Sequence, residues 1–222
     1  GARNPMSAEI VRPASDERAM DRAVSILQGG GLVVFPTDTV YGVGASVDSP
    51  EGVVRLYMAK GRPLDRPIPV LVSSVEIVER LAASVDAASK ALIERYWPGP
   101  LTIILPAQSW LPEEIVRGTG TVGLRMPDHS LALDLIERSG GALATTSANR
   151  SDRPETHTAR DAAASLGERV DLILDGGRAP GGVASTVVRI DDGRPEILRQ
   201  GAICLADLER TLGRRRVGRE VG

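Results

Sequence analysis

Three cations fall within one proline-rich segment. Lys60, Arg62 and Arg66 lie between a helical pattern and an apolar run, and three prolines interrupt the same stretch, 59–72. Because proline cannot continue a helix, we expect these cations on a stiff, irregular loop. Arginine offers a planar fork of donors and lysine a compact point charge, so such a loop suits a polyphosphate. A solvated basic loop without a ligand is the alternative.

Small hydrogen-bonding residues follow two other apolar runs. Thr39 lies in FPTDTVYGVGA, 35–45, where Gly42 and Gly44 allow a close approach of the backbone. A second run, 143–149, leads into threonines, a serine and an asparagine in LATTSAN. Ligands of α/β sheets bind beyond strand ends, and hydroxyl and N–H groups there can hold phosphate oxygens. Ordinary polar turns are the alternative for both segments.

Two arginines stand at the borders of apolar runs. Arg125 lies inside TVGLRMP, and Arg199 ends a hairpin that Asp191-Asp192-Gly193 would turn. A charge at the border of a buried element is usually paired or bound to a ligand. An internal acidic partner and an anionic ligand are therefore both open for each arginine.

Several common catalytic patterns are absent from the sequence. It has no Walker A sequence, no G-x-G-x-x-G between a strand and a helix, and no G-x-S-x-G elbow. Cys204, the single cysteine, has no nearby base, and two histidines are too few for a histidine-rich metal site. The remaining means of catalysis are positive charge and the positioning of substrates, and both suit transfer at a phosphorus atom.

The composition indicates one domain with a sizeable core. The 222 residues are 42% apolar and 3% aromatic, with a formal net charge of −2. Such a chain has no general attraction to nucleic acid. No apolar run approaches the roughly 20 residues that span a bilayer, so we expect a reduced, cytosolic protein. We interpret 1–5 as a remnant of cloning, 6–212 as a single catalytic domain and 213–222 as a flexible basic tail.

Short apolar runs alternate with helical patterns along the chain. Most runs have four or five residues without strict alternation, as expected for strands covered on both faces. The Asp191-Asp192-Gly193 turn requires one antiparallel pair. We therefore predict an α/β fold with a twisted, mixed parallel and antiparallel sheet and helices packed on it. The predicted strands are 32–35, 69–72, 101–105, 122–126, 143–146, 172–174, 186–190 and 196–199.

Seven short motifs follow one another between Leu32 and Ile203. In order they are PTDTVYGVGA, K-x-R-P, WPGPLT, GLRMP, S-x-N, STVV and ILRQGAI. Each motif is weak alone, but the ordered set is specific. It resembles the YrdC-like family of L-threonylcarbamoyladenylate synthases. That family also has a longer form with an extra C-terminal domain, and this chain looks like the short, single-domain bacterial type.

The resemblance implies a YrdC-like open α/β fold and a nucleotidyltransferase activity. The enzyme would condense L-threonine, bicarbonate or CO2 and ATP into threonylcarbamoyl-AMP and pyrophosphate, with Mg²⁺ accompanying the nucleotide. The product would pass to separate transferase proteins that modify adenosine 37 of tRNA. A weak contact with tRNA is a further expectation, and no membrane is involved.

Motif positions also imply the site residues. Lys60 and Arg62 would be catalytic, and Arg125 would pair the carboxylate of threonine. The ATP-binding residues would be Lys60, Arg62, Arg66, Thr121, Ser147, Asn149 and Arg199. The threonine-binding residues would be Thr39, Arg125, Thr145 and Ser185. No residue is assigned to a metal.

Four positions depart from residues that are frequent in the family. Leu71 stands in place of His, Arg66 in place of Asn, Ala184 in place of Glu and Gln200 in place of Pro. Because Leu71 removes one contact to threonine, a related enzyme that activates a different carbamoyl or acyl group is an alternative. An RNA-binding module that uses the same cations without catalysis is another, and its binding should weaken steeply with salt.

Overall fold

The computed structural model describes residues 8–12, 16–61 and 66–217. Arg62, which the sequence assigns to catalysis and to ATP, lies outside these residues. Residues 1–5, which we interpret as a remnant of cloning, lie outside the described residues as well. The last helix runs to Val217, into the segment expected to be a basic tail, and the rest of that segment, 218–222, is not among the described residues.

Ten strands of the described chain form one sheet in the order β1-β8-β2-β3-β7-β4-β6-β5-β9-β10. Four neighbouring pairs are parallel and five are antiparallel, so the predicted mixed sheet is confirmed. The strands are β1 Glu9–Val11, β2 Val33–Pro36, β3 Tyr41–Ser46, β4 Val70–Val72, β5 Leu101–Pro106, β6 Thr121–Arg125, β7 Ala142–Ser147, β8 Leu172–Leu174, β9 Thr186–Asp191 and β10 Arg194–Arg199.

The helices begin at local capping signals. Ser49 accepts a hydrogen bond from the Gly52 N–H at the start of the second helix, and Thr158 accepts one from the Asp161 N–H at the start of the seventh. No helix in the described part of the chain is long and apolar enough to cross a membrane. The α-helices are α1 Glu17–Gln28, α2 Pro50–Lys60, α3 Val78–Leu81, α4 Ala87–Tyr96, α5 Glu113–Val116, α6 Ser130–Arg138, α7 Ala159–Leu166 and α8 Leu205–Val217.

Helices cover the sheet on both faces. Neighbouring residues of a strand point to opposite faces, so one strand can contribute side chains to the cores on both sides. Val34 of β2 packs in the core shared with α2, α4 and α7, whereas Val33 and Phe35 pack in the core shared with α1 and α6. Leu71 of β4 and Leu143 of β7 belong to the α1 and α6 side. That face is the one from which the candidate site opens.

The segment 41–46 is a strand that was not among the strands predicted from the sequence. β2 turns through residues 37–40 and returns as β3, which pairs with β2 on one side and with β7 on the other. A Cβ on Gly42 would lie 3.0 Å from Cγ2 of Thr145, and one on Gly44 would lie 3.0 Å from Cε1 of Phe35. The glycines therefore make room for side chains of this protein within the sheet.

Candidate active site

A cavity of about 420 Å³ opens on the α1 and α6 face of the sheet. Its walls come from the turn between β2 and β3, the end of α2, the segment before β4, and strands β4, β5, β6, β7, β9 and β10. The sequence-predicted site residues that line it are Thr39, Lys60, Arg66, Arg125, Thr145, Ser147, Ser185 and Arg199. Segments far apart in the sequence thus contribute to one hollow.

Lys60 is fixed by several acceptors at the end of β7. Its Nζ donates to the Ser147 carbonyl at 3.0 Å, to the Ser147 Oγ at 3.1 Å and to the Asn149 carbonyl at 3.0 Å. The residue is 5% exposed and ends α2. The expectation of an exposed, loop-borne lysine is wrong, because α2 continues to this residue before Gly61 adopts a left-handed conformation.

Two predicted ATP contacts do not line the cavity. Asn149 lies behind Lys60, and its Nδ2 donates to the carbonyls of Arg150 and Arg153 at 3.0 and 2.8 Å. Thr121 begins β6, at the opposite end of that strand from Arg125, and its Oγ1 donates to Oγ1 of Thr119 at 3.1 Å. Asn149 therefore organises the loop after β7, and the ATP roles of both residues stay predictions.

Arg125 has the internal acidic partner that the sequence left open. Its Nη1 donates to Oδ1 of Asp38 at 2.8 Å and to the Gly99 carbonyl at 3.3 Å. The two side chains are 8% and 13% exposed, so solvent screens this ion pair weakly. Arg125 also lines the cavity, which means that its guanidinium faces both the partner and the hollow.

Arg199 is held without a carboxylate. Its Nε and Nη2 donate to the Ser185 carbonyl at 3.2 and 2.8 Å, and Nη2 also donates to Oγ of Ser185 at 2.9 Å. That hydroxyl lies 2.9 Å from Oγ1 of Thr102. Within the described chain Arg199 has no salt bridge, so its charge is available to a ligand.

The sequence assigned no role to several residues of the site. Thr102 lies in the quoted WPGPLT motif, and the contact of its hydroxyl with that of Ser185 could not be read from spacing. Tyr41 donates its hydroxyl to the Gly177 carbonyl at 2.6 Å, and burial raises the pKa of the phenol. Glu155 follows no recognisable pattern.

The charge around the cavity is mostly positive. Lys60, Arg66, Arg125 and Arg199 line it, and Glu155 is the one acid among the described lining residues. Asp38, which does not line the cavity, pairs with Arg125 and compensates its charge. Nowhere in the described ranges do three or more His, Cys, Asp or Glu side chains cluster as a metal site. The arrangement suits a multiply charged anion held by arginine forks and a lysine.

Fold and site together define an α/β protein with a cavity lined mainly by cations. The family model for Sua5, YciO and YrdC, described as "Telomere recombination", matches residues 25–201. The match covers most of the chain, and the chain belongs to this family.

The chain is similar to named proteins of this family. A threonylcarbamoyl-AMP synthase of Pyrococcus abyssi is 39% identical over 93% of this chain, which spans 61% of that relative. A putative threonylcarbamoyl-AMP synthase of Mycobacterium leprae is 39% identical over 90% of this chain and 91% of its own length. The crystal structure of P. abyssi Sua5 complexed with L-threonine superposes with a TM-score of 0.86 at 39% identity, covering 92% of this chain and 60% of that one.

Proposed function

We propose that this protein is a threonylcarbamoyl-AMP synthase, a nucleotidyltransferase that uses L-threonine, bicarbonate or CO2 and ATP. The observation that carries the proposal is the single cavity that joins Lys60, Arg66 and Arg199 to Arg125 and its neighbouring hydroxyls. Its volume of about 420 Å³ falls in the range of small-molecule sites. The names of the relatives support the same activity.

The nucleotide would contact Lys60 and Arg199, which line the cavity from the end of α2 and from β10. Arg199 uses Nε and Nη2 on Ser185, which leaves its Nη1 group to a phosphate. Lys60 and Ser147 would contact further phosphate oxygens, and Arg62 would join them as the second catalytic cation. Fixed cations stabilise the charge that develops on departing pyrophosphate, since they need no reorganisation during the reaction.

Threonine would lie toward Arg125. The guanidinium would bind its carboxylate, and the hydroxyls of Thr39, Thr145 and Ser185, which line the same cavity, would contact the rest of the amino acid. Leu71 contributes an apolar wall there, since it pairs with Arg125 across β4 and β6. We therefore expect weaker selection for the threonine hydroxyl than for the carboxylate, which keeps a related acceptor amino acid as the second candidate substrate.

The chemistry requires two bond-forming steps. The threonine amine attacks CO2 and loses a proton to give a carbamate; when bicarbonate supplies the carbon, a C–O bond breaks and water leaves. A carbamate oxygen then attacks the α-phosphorus of ATP, the bond to the bridging oxygen breaks, and pyrophosphate leaves. Because the carbamate is already an anion, no strong general base is needed for the second step.

A magnesium ion fits this site as a companion of the nucleotide. Mg²⁺ is usually bound through substrate phosphates and one or two carboxylates, and it keeps several waters. Glu155 offers one carboxylate in the lining, and the described residues contain no larger acidic cluster. The ion would neutralise phosphate charge, while Lys60 and Arg199 orient the phosphates.

The product is a reactive mixed anhydride that must be consumed by another protein. Transferases that carry the threonylcarbamoyl group to adenosine 37 of tRNA would take it, in the cytosol, where tRNA, ATP and free threonine meet. Any direct contact between this chain and tRNA would be weak, because the formal net charge is −2.

The test is pyrophosphate release with ATP, Mg²⁺, bicarbonate and single amino acids. Threonine-dependent release supports the synthase, and release that depends on another amino acid supports the second candidate. No release with any amino acid, together with tight and salt-sensitive RNA binding, would replace the enzyme with an RNA-binding module.

A further inference from the structure

Asp38 holds Arg125 from outside the cavity. Asp38 lies in the 37–40 turn between β2 and β3, whereas Arg125 ends β6, three strands from β3 in the sheet. The pair is joined at 2.8 Å and largely buried. Arg125 lines the cavity and Asp38 does not, so the carboxylate contacts the guanidinium without itself lining the hollow.

The contacts of Arg125 leave one edge of its guanidinium available. Both hydrogens of Nη1 have acceptors, Oδ1 of Asp38 and the Gly99 carbonyl. Gly99 is itself anchored, since its N–H donates to the Met126 carbonyl at 2.9 Å. Among the described residues Nε and Nη2 of Arg125 have no hydrogen-bond acceptor. These two atoms form the side-on fork that binds both oxygens of a carboxylate.

We infer that Asp38 is a positioning residue that presents the Nε and Nη2 edge of Arg125 to the α-carboxylate of the substrate. The inference deepens the proposed function and rests on it. Asp38 acts through geometry: its Oδ1 and the Gly99 carbonyl fix the plane of the guanidinium before the amino acid arrives. A preorganised fork loses less entropy on binding than a mobile one.

The charge of Asp38 has a separate and opposite effect. A buried guanidinium needs compensation, and Asp38 supplies it while the cavity is empty. The same negative charge weakens the attraction of Arg125 for a second carboxylate. Substitutions that change only the position of the acceptor or only the charge of Asp38 should therefore give different results.

Two variants separate these effects. Asp38→Asn keeps an acceptor oxygen at the same distance and removes the charge, whereas Asp38→Glu keeps the charge and moves the acceptor by one methylene. Asp48→Glu, at an exposed position before α2, is the matched control. Calorimetric titration with L-threonine, in the presence of a saturating non-hydrolysable ATP analogue, gives the Kd of each protein. L-Threoninol, which lacks the carboxylate, is titrated in parallel.

We expect Asp38→Asn to bind threonine within about threefold of the wild type, because the orienting acceptor remains. Asp38→Glu should bind threonine about tenfold or more weakly, since a displaced fork loses one of its two carboxylate bonds. Its preference for threonine over threoninol should shrink by the same factor. The Kd for the ATP analogue should stay unchanged in every variant, which shows that the cavity is intact.

Three results would contradict the inference in distinguishable ways. Equal threonine affinity in Asp38→Glu and wild type would show that Asp38 does not position the fork. A loss of threonine affinity in Asp38→Asn as large as that in Asp38→Glu would show that the acceptor alone does not position the fork and that the charge of Asp38 is required as well. A wild-type protein that binds the ATP analogue but not threonine would overturn the proposed function itself, and the inference with it.

Discussion

At the scale of single residues, Lys60 has two tasks. Its ammonium lines the cavity and also holds the loop after β7 through the Ser147 and Asn149 carbonyls. A lysine in this position is costly to bury unless its donors are satisfied, and three acceptors within 3.1 Å satisfy them. The proposed catalytic role and the stability of the loop would therefore depend on the same side chain.

Lys60→Ala should lose both activity and stability. Removing a fixed cation from the phosphate end should lower turnover by about 10²-fold or more. The two carbonyls left without a donor should lower the free energy of unfolding by about 1–3 kcal/mol. Pyrophosphate release and urea denaturation measure the two effects. Lys90→Ala, at an exposed position of α4, should change neither, and wild-type turnover in Lys60→Ala would remove Lys60 from the site.

The sequence predicted the residues that line the cavity better than it predicted the contacts between their side chains. Motif order brought Lys60, Ser147 and Arg199 together as candidates, and they do line one cavity. Asp38 was visible as a carboxylate, but its pairing with Arg125 depends on the order of β3, β7, β4 and β6, which spacing along the chain does not encode. Contacts between strands that are distant in sequence are set by topology, so they could not be predicted.

At the scale of elements, strands in continuous apolar runs were predicted well, whereas the glycine-containing strand β3 was not. Seven of the eight predicted strands lie within one residue of the observed bounds at their start and end, and the eighth, 196–199, is β10 without its first two residues. β3 was missed because YGVGAS has two glycines, which weaken the strand signal. Packing explains the glycines, since Thr145 and Phe35 fill the space that side chains would need.

Gly201 shows how tightly the β9 and β10 end of the site is built. A Cβ there would lie 2.3 Å from the Ala184 carbonyl oxygen and 2.4 Å from the Thr186 nitrogen, both backbone atoms. Gly201→Ala should therefore displace the segment that holds Ser185, costing about 1–3 kcal/mol of unfolding free energy together with activity. Thermal unfolding and pyrophosphate release measure both.

The matched control for Gly201 is Gly213, a position in α8 with open space around its Cα. Gly213→Ala should stabilise the protein by about 0.5–1 kcal/mol, because glycine is unfavourable inside a helix. If the two substitutions had the same effect on unfolding, crowding at Gly201 would not be the cause.

At the scale of the whole molecule, charge is distributed unevenly. The chain carries a formal net charge of −2, yet four cations and one acid line the cavity among the described residues. Carboxylates elsewhere pair with surface arginines, as Asp171 does with Arg55 and Asp134 with Arg138. A local positive field within a slightly acidic molecule concentrates small anions without general affinity for nucleic acid.

Stability should depend on pH through His129, the N-cap residue of α6, which lies near Asp38. Burial lowers the pKa of His129, although Asp38 and Asp128 oppose the shift. The unfolded imidazole titrates near pH 6.5. Above that pH the imidazole is neutral in both the folded and the unfolded state. As the pH falls below it, the unfolded chain binds a proton more readily than the folded protein does. The free energy of unfolding therefore decreases until the pH passes the pKa of His129 in the folded state. His129→Asn keeps a good helix cap and removes the titration. Its thermal midpoint should therefore fall less than that of the wild type between about pH 7.5 and pH 5.5, and equal slopes would show that burial of His129 does not govern this range.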